Sequence, residues 1–166
     1  MNYLGGAEML FGNEYRNLFL KQLSDSDDNE LTVFIAQSKE VEPSLDSFEG
    51  EKNEKIRELL SATMRLVPDD TQIYRIYFER YLMYQVRDES YAYNDDGHIS
   101  VGQGLILFEK SRLLDYVNEV VDVPVAMHML HESKLQHYGI YTLNNVIDVV
   151  TFYEPVIEFV SKERKE

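Results

Sequence analysis

The chain has 166 residues, which suits one folded domain with its own hydrophobic core. It contains no cysteine, so disulfide bonds, thiolate metal ligands and a cysteine nucleophile are excluded, and a reducing cytosol is the expected compartment. Its 30 acidic and 16 basic residues give a net charge of −14, which repels nucleic acid and anionic membrane surfaces.

The N-terminal segment does not have the pattern of an export signal. It lacks a basic start and a continuous apolar run, and it carries Glu8 and Glu14 where a signal peptide would be apolar. No stretch approaches the roughly 20 apolar residues needed to cross a bilayer. We therefore expect a cytoplasmic protein with no membrane partner and no nucleic-acid partner.

The first 50 residues are expected to be the more acidic, loop-rich part of the domain. Apolar residues at helical spacing predict a short amphipathic helix over residues 14–23. The polar run from Ser24 to Glu30 has no apolar side chain to bury and predicts a solvated loop. The β-branched and aromatic residues that follow predict a strand over residues 31–37.

The middle of the chain changes from helical to alternating periodicity. Apolar residues recur every three or four positions over residues 51–66 and predict a helix, which Pro68 should end. Residues 73–91 instead alternate apolar and polar side chains over a length too great for one strand. We expect the chain to bend at the charged pair Glu79-Arg80.

The region from residue 94 to residue 136 contains the strongest turn signal and a helix signal. Asn94-Asp95-Asp96-Gly97 predicts a tight hairpin turn flanked by strands. A strand is predicted over residues 104–109, and Ser111 can cap a helix that Pro124 should close. Residues 125–136 show no clean period and are expected to be a connection.

The last third of the chain completes the predicted architecture. Two β-rich runs, 137–143 and 146–152, are joined by Asn144-Asn145 and predict a second hairpin. Residues 158–166 are expected to be a charged tail. The elements together predict an α+β fold in a single domain, 1–166, with a mainly antiparallel sheet packed against two or three helices in one layer.

Three histidines lie close together in the sequence, at positions 128, 131 and 137. His128 and His131 have the spacing of two ligands on one helical face, but no HExxH pattern accompanies them. Phosphate-binding glycine motifs and the GxSxG nucleophile motif are also missing. The sequence therefore predicts no catalytic residues, no metal site and no cofactor. The alternative is a small metal-dependent hydrolase that uses this histidine group with Glu132.

Tyrosines are the most distinctive feature of the composition, with 12 in the chain and no tryptophan. Two of them alternate with carboxylates around the predicted 94–97 turn, where exposed rings and charges could anchor and steer a basic partner. The predicted partner-binding residues are Asp88, Glu89, Tyr91, Tyr93, Asp95 and Asp96. A second patch is predicted at Asp25, Asp27 and Asp28.

Three segments resemble small acidic bacterial immunity proteins of polymorphic and contact-dependent toxin systems. They are IYFERYLMYQVRDESYA at 76–92, FEKSRLLDYVNEV at 108–120 and HYGIYTLNNVIDVVT at 137–151. The resemblance implies a protein that binds its cognate toxin C-terminal domain in the cytosol. Binding would block the toxin's active site or substrate entry without a cofactor. The resemblance does not supply the contact residues.

These observations leave three hypotheses. The first is an immunity protein for a cationic, nuclease-type toxin, because a nuclease must be basic to hold nucleic acid and a carboxylate surface can occupy the same groove. The second is the metal-dependent hydrolase. The third is a structural or regulatory protein-binding module that self-associates through an exposed strand edge.

Overall fold

The computed structural model describes residues 17–42, 52–61, 63–93, 98–132 and 134–160. The strands in these ranges are β1 (Phe19–Asp25), β2 (Leu31–Val41), β3 (Arg65–Phe78), β4 (Met83–Asp88), β5 (Ile99–Gln103), β6 (Leu105–Lys110), β7 (Gln136–Tyr141), β8 (Asn145–Thr151) and β9 (Val156–Val160). The helices are α1 (Glu54–Ser61), α2 (Arg112–Val120) and α3 (Val123–Leu130), and Glu89–Tyr91 form one turn of 3₁₀ helix.

The strands form two antiparallel sheets rather than one. The first sheet has the order β1-β2-β3-β9, and the second has the order β4-β8-β7-β6-β5. The α+β class and the antiparallel pairing predicted from the sequence are confirmed. The protein is, however, richer in sheet than expected, since the described part contains only three short α-helices.

The first sheet is built on the alternation of apolar residues along β2. Leu31, Val33 and Ile35 are fully buried, with a spacing of two that places them on one face. They lie opposite buried residues of β3, because Leu31 pairs with Phe78 and Val33 pairs with Ile76. This face supplies one half of the core.

The second sheet supplies the other half of the core, mainly through β8, an interior strand that lies between β4 and β7. Ile147 and Val149 pack into the cluster shared with the first sheet, together with Tyr138 and Ile140 of β7. Val150 points to the opposite face and clusters with Val117, Val123 and Phe152. Almost every residue of β8 is buried, because both faces of this strand are covered.

The predicted helix over residues 14–23 is wrong for the residues that the structure describes. Residues 19–25 form β1, which pairs with β2 and has a bulge between Leu20 and Gln22. The bulge adds a residue to the strand, so Leu20 and Leu23 both reach the core although they are three positions apart. A spacing that is typical of a helix therefore comes from a bulged strand.

Pro68 and Pro124 were expected to end helices, but neither lies at the end of one. The predicted helix over 51–66 is shorter, since α1 ends at Ser61, and Pro68 lies within β3 opposite Ser38, where the register shifts. A bulge tolerates proline because the ladder is already interrupted there. Pro124 lies in the first turn of α3, where no intrahelical N–H bond is lost, so it begins a helix within the expected connection.

The predicted bend at Glu79-Arg80 is confirmed, since β3 ends at Phe78 and β4 begins at Met83. The second predicted hairpin is also confirmed, as β7 and β8 pair. The turn at 94–97 lies outside the described residues. The strands on either side of it do not form a hairpin, because β4 and β5 lie at opposite edges of the sheet.

The ends of the described chain also differ from expectation. Part of the region 1–50 that was expected to be loop-rich forms β1 and β2, with the predicted loop confined to the turn between them. The charged tail expected over 158–166 contributes its first three residues to β9, which pairs with β3. Residues 161–166 lie outside the described part.

Candidate functional site

Four of the predicted partner-binding residues lie together at the end of β4. Asp88 ends the strand, and its carboxylate accepts a 2.9 Å hydrogen bond from the Ser90 N–H at the start of the 3₁₀ turn. Tyr91 is 88% exposed and Tyr93 is 70% exposed. We call Asp88, Glu89, Tyr91 and Tyr93 the tyrosine surface. The other two predicted residues, Asp95 and Asp96, lie outside the described part.

The tyrosine surface is attached to the rest of the protein through the turn between β7 and β8. The Glu89 N–H donates to the Asn144 carbonyl at 3.5 Å. The side chain of Asn144 in turn accepts a hydrogen bond from the Leu20 N–H at 3.1 Å. The rings therefore project from a backbone held by two other segments of the chain.

The second predicted patch lies where β1 ends and the turn to β2 begins. Asp25 is five residues beyond Leu20 along β1, which is about 16 Å at about 3.3 Å per residue. Its carboxylate accepts hydrogen bonds from the Tyr81 and Tyr84 hydroxyls. Asp27 and Asp28 follow it in the exposed turn. The Asp25 carboxylate is therefore engaged by two tyrosines of the chain itself.

A cavity of about 240 Å³ adjoins the tyrosine surface, and Tyr93 belongs to both. It lies on the face of the second sheet that points away from the shared core. Among the residues that line it are Arg87, Ser111, His137 and Asp148. The first turn of α2 forms another wall, because Arg112 and Leu113 also line the cavity.

Ser111, His137 and Asp148 form a continuous chain of hydrogen bonds in this cavity. The Ser111 Oγ lies 2.8 Å from His137 Nδ1, and His137 Nε2 lies 3.0 Å from Asp148 Oδ1. Ser111 also caps α2, as the sequence predicts, by accepting the Leu114 N–H at 3.1 Å. All three side chains are buried.

The two oxygens of Asp148 have different partners. Oδ1 faces His137, whereas Oδ2 accepts hydrogen bonds from Gln85 at 2.9 Å and from Arg87 at 2.8 and 3.1 Å. Burial opposes ionisation of this carboxyl, but the bonds from His137 and Gln85 and the charge of Arg87 outweigh it and lower its pKa. Asp148 is therefore an ionised carboxylate that accepts hydrogen bonds from Gln85, Arg87 and His137.

Aromatic rings hold His137 in place. The Phe108 ring stacks on the imidazole with 4.3 Å between centroids and 14° between planes. The His98 ring packs edge-on against the same Phe108 ring, with 5.3 Å between their centroids. Gly139 makes room for the stack, since a Cβ at this position would lie 2.8 Å from the Phe108 ring.

The three histidines grouped in the sequence do not converge. His128 lies on α3, His131 follows it as the C-cap with a φ of 55°, and both are exposed. His137 instead points into the cavity. No cluster of three His, Cys, Asp or Glu side chains that could hold a metal occurs among the described residues.

Sequence reasoning identifies Ser111 only as a helix cap and assigns no role to Asp148. The signal for Asp148 is its position, because one carboxylate interrupts the apolar run from Val146 to Val150. A buried carboxylate must find donors, so its partners could be expected to carry function or fix the fold. Nothing in the sequence shows that these donors are Gln85, Arg87 and His137.

The three segments that carry the family resemblance meet at this hydrogen-bond chain. Segment 76–92 contributes Arg87, segment 108–120 contributes Ser111, and segment 137–151 contributes His137 and Asp148. Comparison with protein-family models, with curated proteins and with solved structures finds no match for this chain. Within the described ranges, no helix has the length and hydropathy to cross a membrane.

Proposed function

We propose that this protein is an immunity protein that binds a basic toxin domain through the tyrosine surface and covers the toxin's active site or substrate groove. The observation that carries the proposal is the exposure of Tyr91 and Tyr93 beside Asp88 and Glu89. The resemblance of three segments to immunity proteins agrees with it. Inhibition by binding requires neither a cofactor nor a reaction.

Exposed tyrosine rings are suited to this role. A tyrosine brings a large apolar area and a hydroxyl into an interface, and it has only two side-chain torsions to restrict. Tyr91, at 88% exposure, has most of its ring available for a partner to cover. The two rings are therefore the expected binding hot spot.

The charge of the chain is suited to a basic partner. A net charge of −14 accelerates the encounter with a cationic protein and slows the encounter with nucleic acid. Asp88 and Glu89 place two carboxylates next to the rings. In this proposal they occupy positions on the toxin where substrate phosphates would bind, which excludes a nucleic-acid substrate.

The test uses the toxin domain that this proposal expects the neighbouring open reading frame to encode. We expect the variant Tyr91→Ala/Tyr93→Ala to weaken the Kd by about tenfold or more, because both anchors are removed. The matched control is Tyr116→Ala, which removes an exposed tyrosine from α2. Equal binding by both variants, or a neighbouring frame that encodes a metabolic enzyme, would contradict the proposal.

The charge is tested separately from the rings. Glu89→Lys should slow association at low salt, and the difference from the wild type should shrink as salt screens the charges. Glu119→Lys makes the same charge change at an exposed position on α2 and serves as the control. The same association rate for both variants would place the docking surface elsewhere.

A further inference from the structure

We propose that Ser111 and His137, oriented by Asp148, form a nucleophilic site that hydrolyses a small ester bound in the adjoining cavity. This inference goes beyond the proposed function and does not depend on it, because the toxin-binding surface acts through contact alone. It rests on the hydrogen-bond chain, on the cavity beside it and on the position of Ser111 at the start of α2.

The first step of the argument is the direction of the hydrogen bonds. Asp148 can only accept, so the proton on His137 lies on Nε2 and points to Oδ1 at 3.0 Å. Nδ1 is then an acceptor, and the Ser111 hydroxyl donates to it at 2.8 Å. A serine that donates to an imidazole, which in turn donates to a carboxylate, has the order of groups that activates a serine nucleophile.

The second step is the fixed orientation of the base. His137 is buried, and its ring is held by the Phe108 stack on one face and by hydrogen bonds at both nitrogens. Oδ2 of Asp148 is engaged by Gln85 and Arg87, which leaves Oδ1 aimed at His137. Asp148 is thus a positioning residue that would stabilise an imidazolium.

The third step is the junction at which the nucleophile lies. Ser111 follows β6 directly and precedes α2, so the hydroxyl lies at the positive end of a helix of nine residues. The first turn of α2 forms one wall of the cavity, because Arg112 and Leu113 line it. The positive end of this helix is the feature that would stabilise an oxyanion.

The reaction is a two-step acyl transfer to water. Ser111 Oγ attacks the ester carbonyl carbon, its proton passes to His137 Nδ1, and that proton then goes to the departing alcohol as the ester C–O bond breaks. Water attacks the acyl-serine next, giving its proton to Nδ1, and the carboxylic acid leaves as Ser111 regains a proton. One ester and one water give one acid and one alcohol.

The size of the cavity sets the substrate class. A volume of about 240 Å³ holds a short acyl group with part of its alcohol, not a long lipid chain or a folded peptide. The polar groups that line it favour a small, polar ester. We therefore use p-nitrophenyl acetate as the substrate probe and a fluorophosphonate as the covalent probe.

The experiment measures phosphonylation of the folded protein, with the modified residue located by mass spectrometry. We expect the adduct on Ser111, formation that is lost when the protein is unfolded in urea, and burst release of p-nitrophenol from the acetate. Ser90 is an exposed serine between Glu89 and Tyr91 and is the internal control. An unmodified Ser111 in the folded wild type, or equal modification of Ser90, would overturn the proposal.

Variants distinguish catalysis from a structural role. His137→Gln should slow modification of Ser111 by about a hundredfold or more, since the general base is removed. If this buried change prevents folding, the folded wild type decides instead, because phosphonylation of Ser111 requires an activated hydroxyl. An unmodified Ser111 in the folded protein would refute the assignment of His137 as its base.

Discussion

His137 on β7 and Asp148 on β8 are diagonal neighbours across the pair of strands, and neither is the direct partner of the other. Asp148 pairs with Gly139 on β7 and with Gln85 on β4, while His137 pairs with Val150. The diagonal brings Nε2 within 3.0 Å of Oδ1. The absence of a side chain at Gly139 leaves room for the Phe108 ring, which stacks on His137.

Asp148→Asn should destabilise the protein by about 3 kcal/mol at neutral pH, because it removes the charge that pairs with Arg87 and replaces one of the two acceptor oxygens with an NH2 donor. Part of this cost is recovered, since the Arg87 side chain is 34% exposed and can be solvated. Urea unfolding measures the difference. Asp115→Asn, an exposed carboxylate on α2, is the control and should change stability by less than about 0.5 kcal/mol.

The pH dependence of this variant follows from the lowered pKa of Asp148. The native pKa lies below the ordinary value of 3.8, so the unfolded chain takes up the proton first as the pH falls. The stabilisation by Asp148 is therefore present above the ordinary value and is lost as the pH falls through the native pKa. The stability difference between wild type and Asp148→Asn should shrink in that range. A constant difference would show that the carboxylate charge does not matter.

Gly139→Ala should destabilise the protein by about 1–3 kcal/mol through overpacking. The new Cβ would lie 2.8 Å from the Phe108 ring and 3.0 Å from the Tyr141 ring. Phe108 would have to leave its stack on His137 to relieve the contact. Thermal unfolding measures the cost, and it should be smaller in a Phe108→Leu background, where the ring is absent. The same cost in both backgrounds would mean that Phe108 is not the residue that restricts this position.

The sequence predicts best those elements whose signals are local. The alternation of β2, the Ser111 cap and the β7–β8 hairpin each depend on a few consecutive residues, and all three are present. The β1 strand could not be predicted, because its bulge exists only against β2. The same reason applies to Pro68, which is tolerated in β3 only where the ladder with β2 shifts.

The candidate site depends even more on distant parts of the chain. Tyr91 and Tyr93 could be found as exposed rings because their turn is locally polar. The hydrogen-bond chain could not, since β7 has to lie between β6 and β8 before Ser111 and Asp148 can both reach His137. No local pattern in the sequence encodes that strand order.

Asp25→Asn should lower the pKa of both Tyr81 and Tyr84 towards the ordinary value of 10.0. Burial raises the pKa of each hydroxyl, and the Asp25 carboxylate raises it further by accepting its proton in a hydrogen bond. The effect should be partial, because burial of the rings is unchanged. NMR titration of labelled tyrosine resolves these two rings from the others in the chain.

The same variant tests whether Asp25 belongs to a docking surface. Its carboxylate already accepts hydrogen bonds from two rings that meet edge-on at 4.9 Å. We therefore expect its loss to change the tyrosine titration and to leave binding to the proposed toxin partner unaltered. Asp28→Asn, in the adjoining turn, should leave both titrations as they are in the wild type. A weaker Kd for Asp25→Asn with unshifted tyrosines would instead support the prediction that the acidic turn belongs to the binding surface.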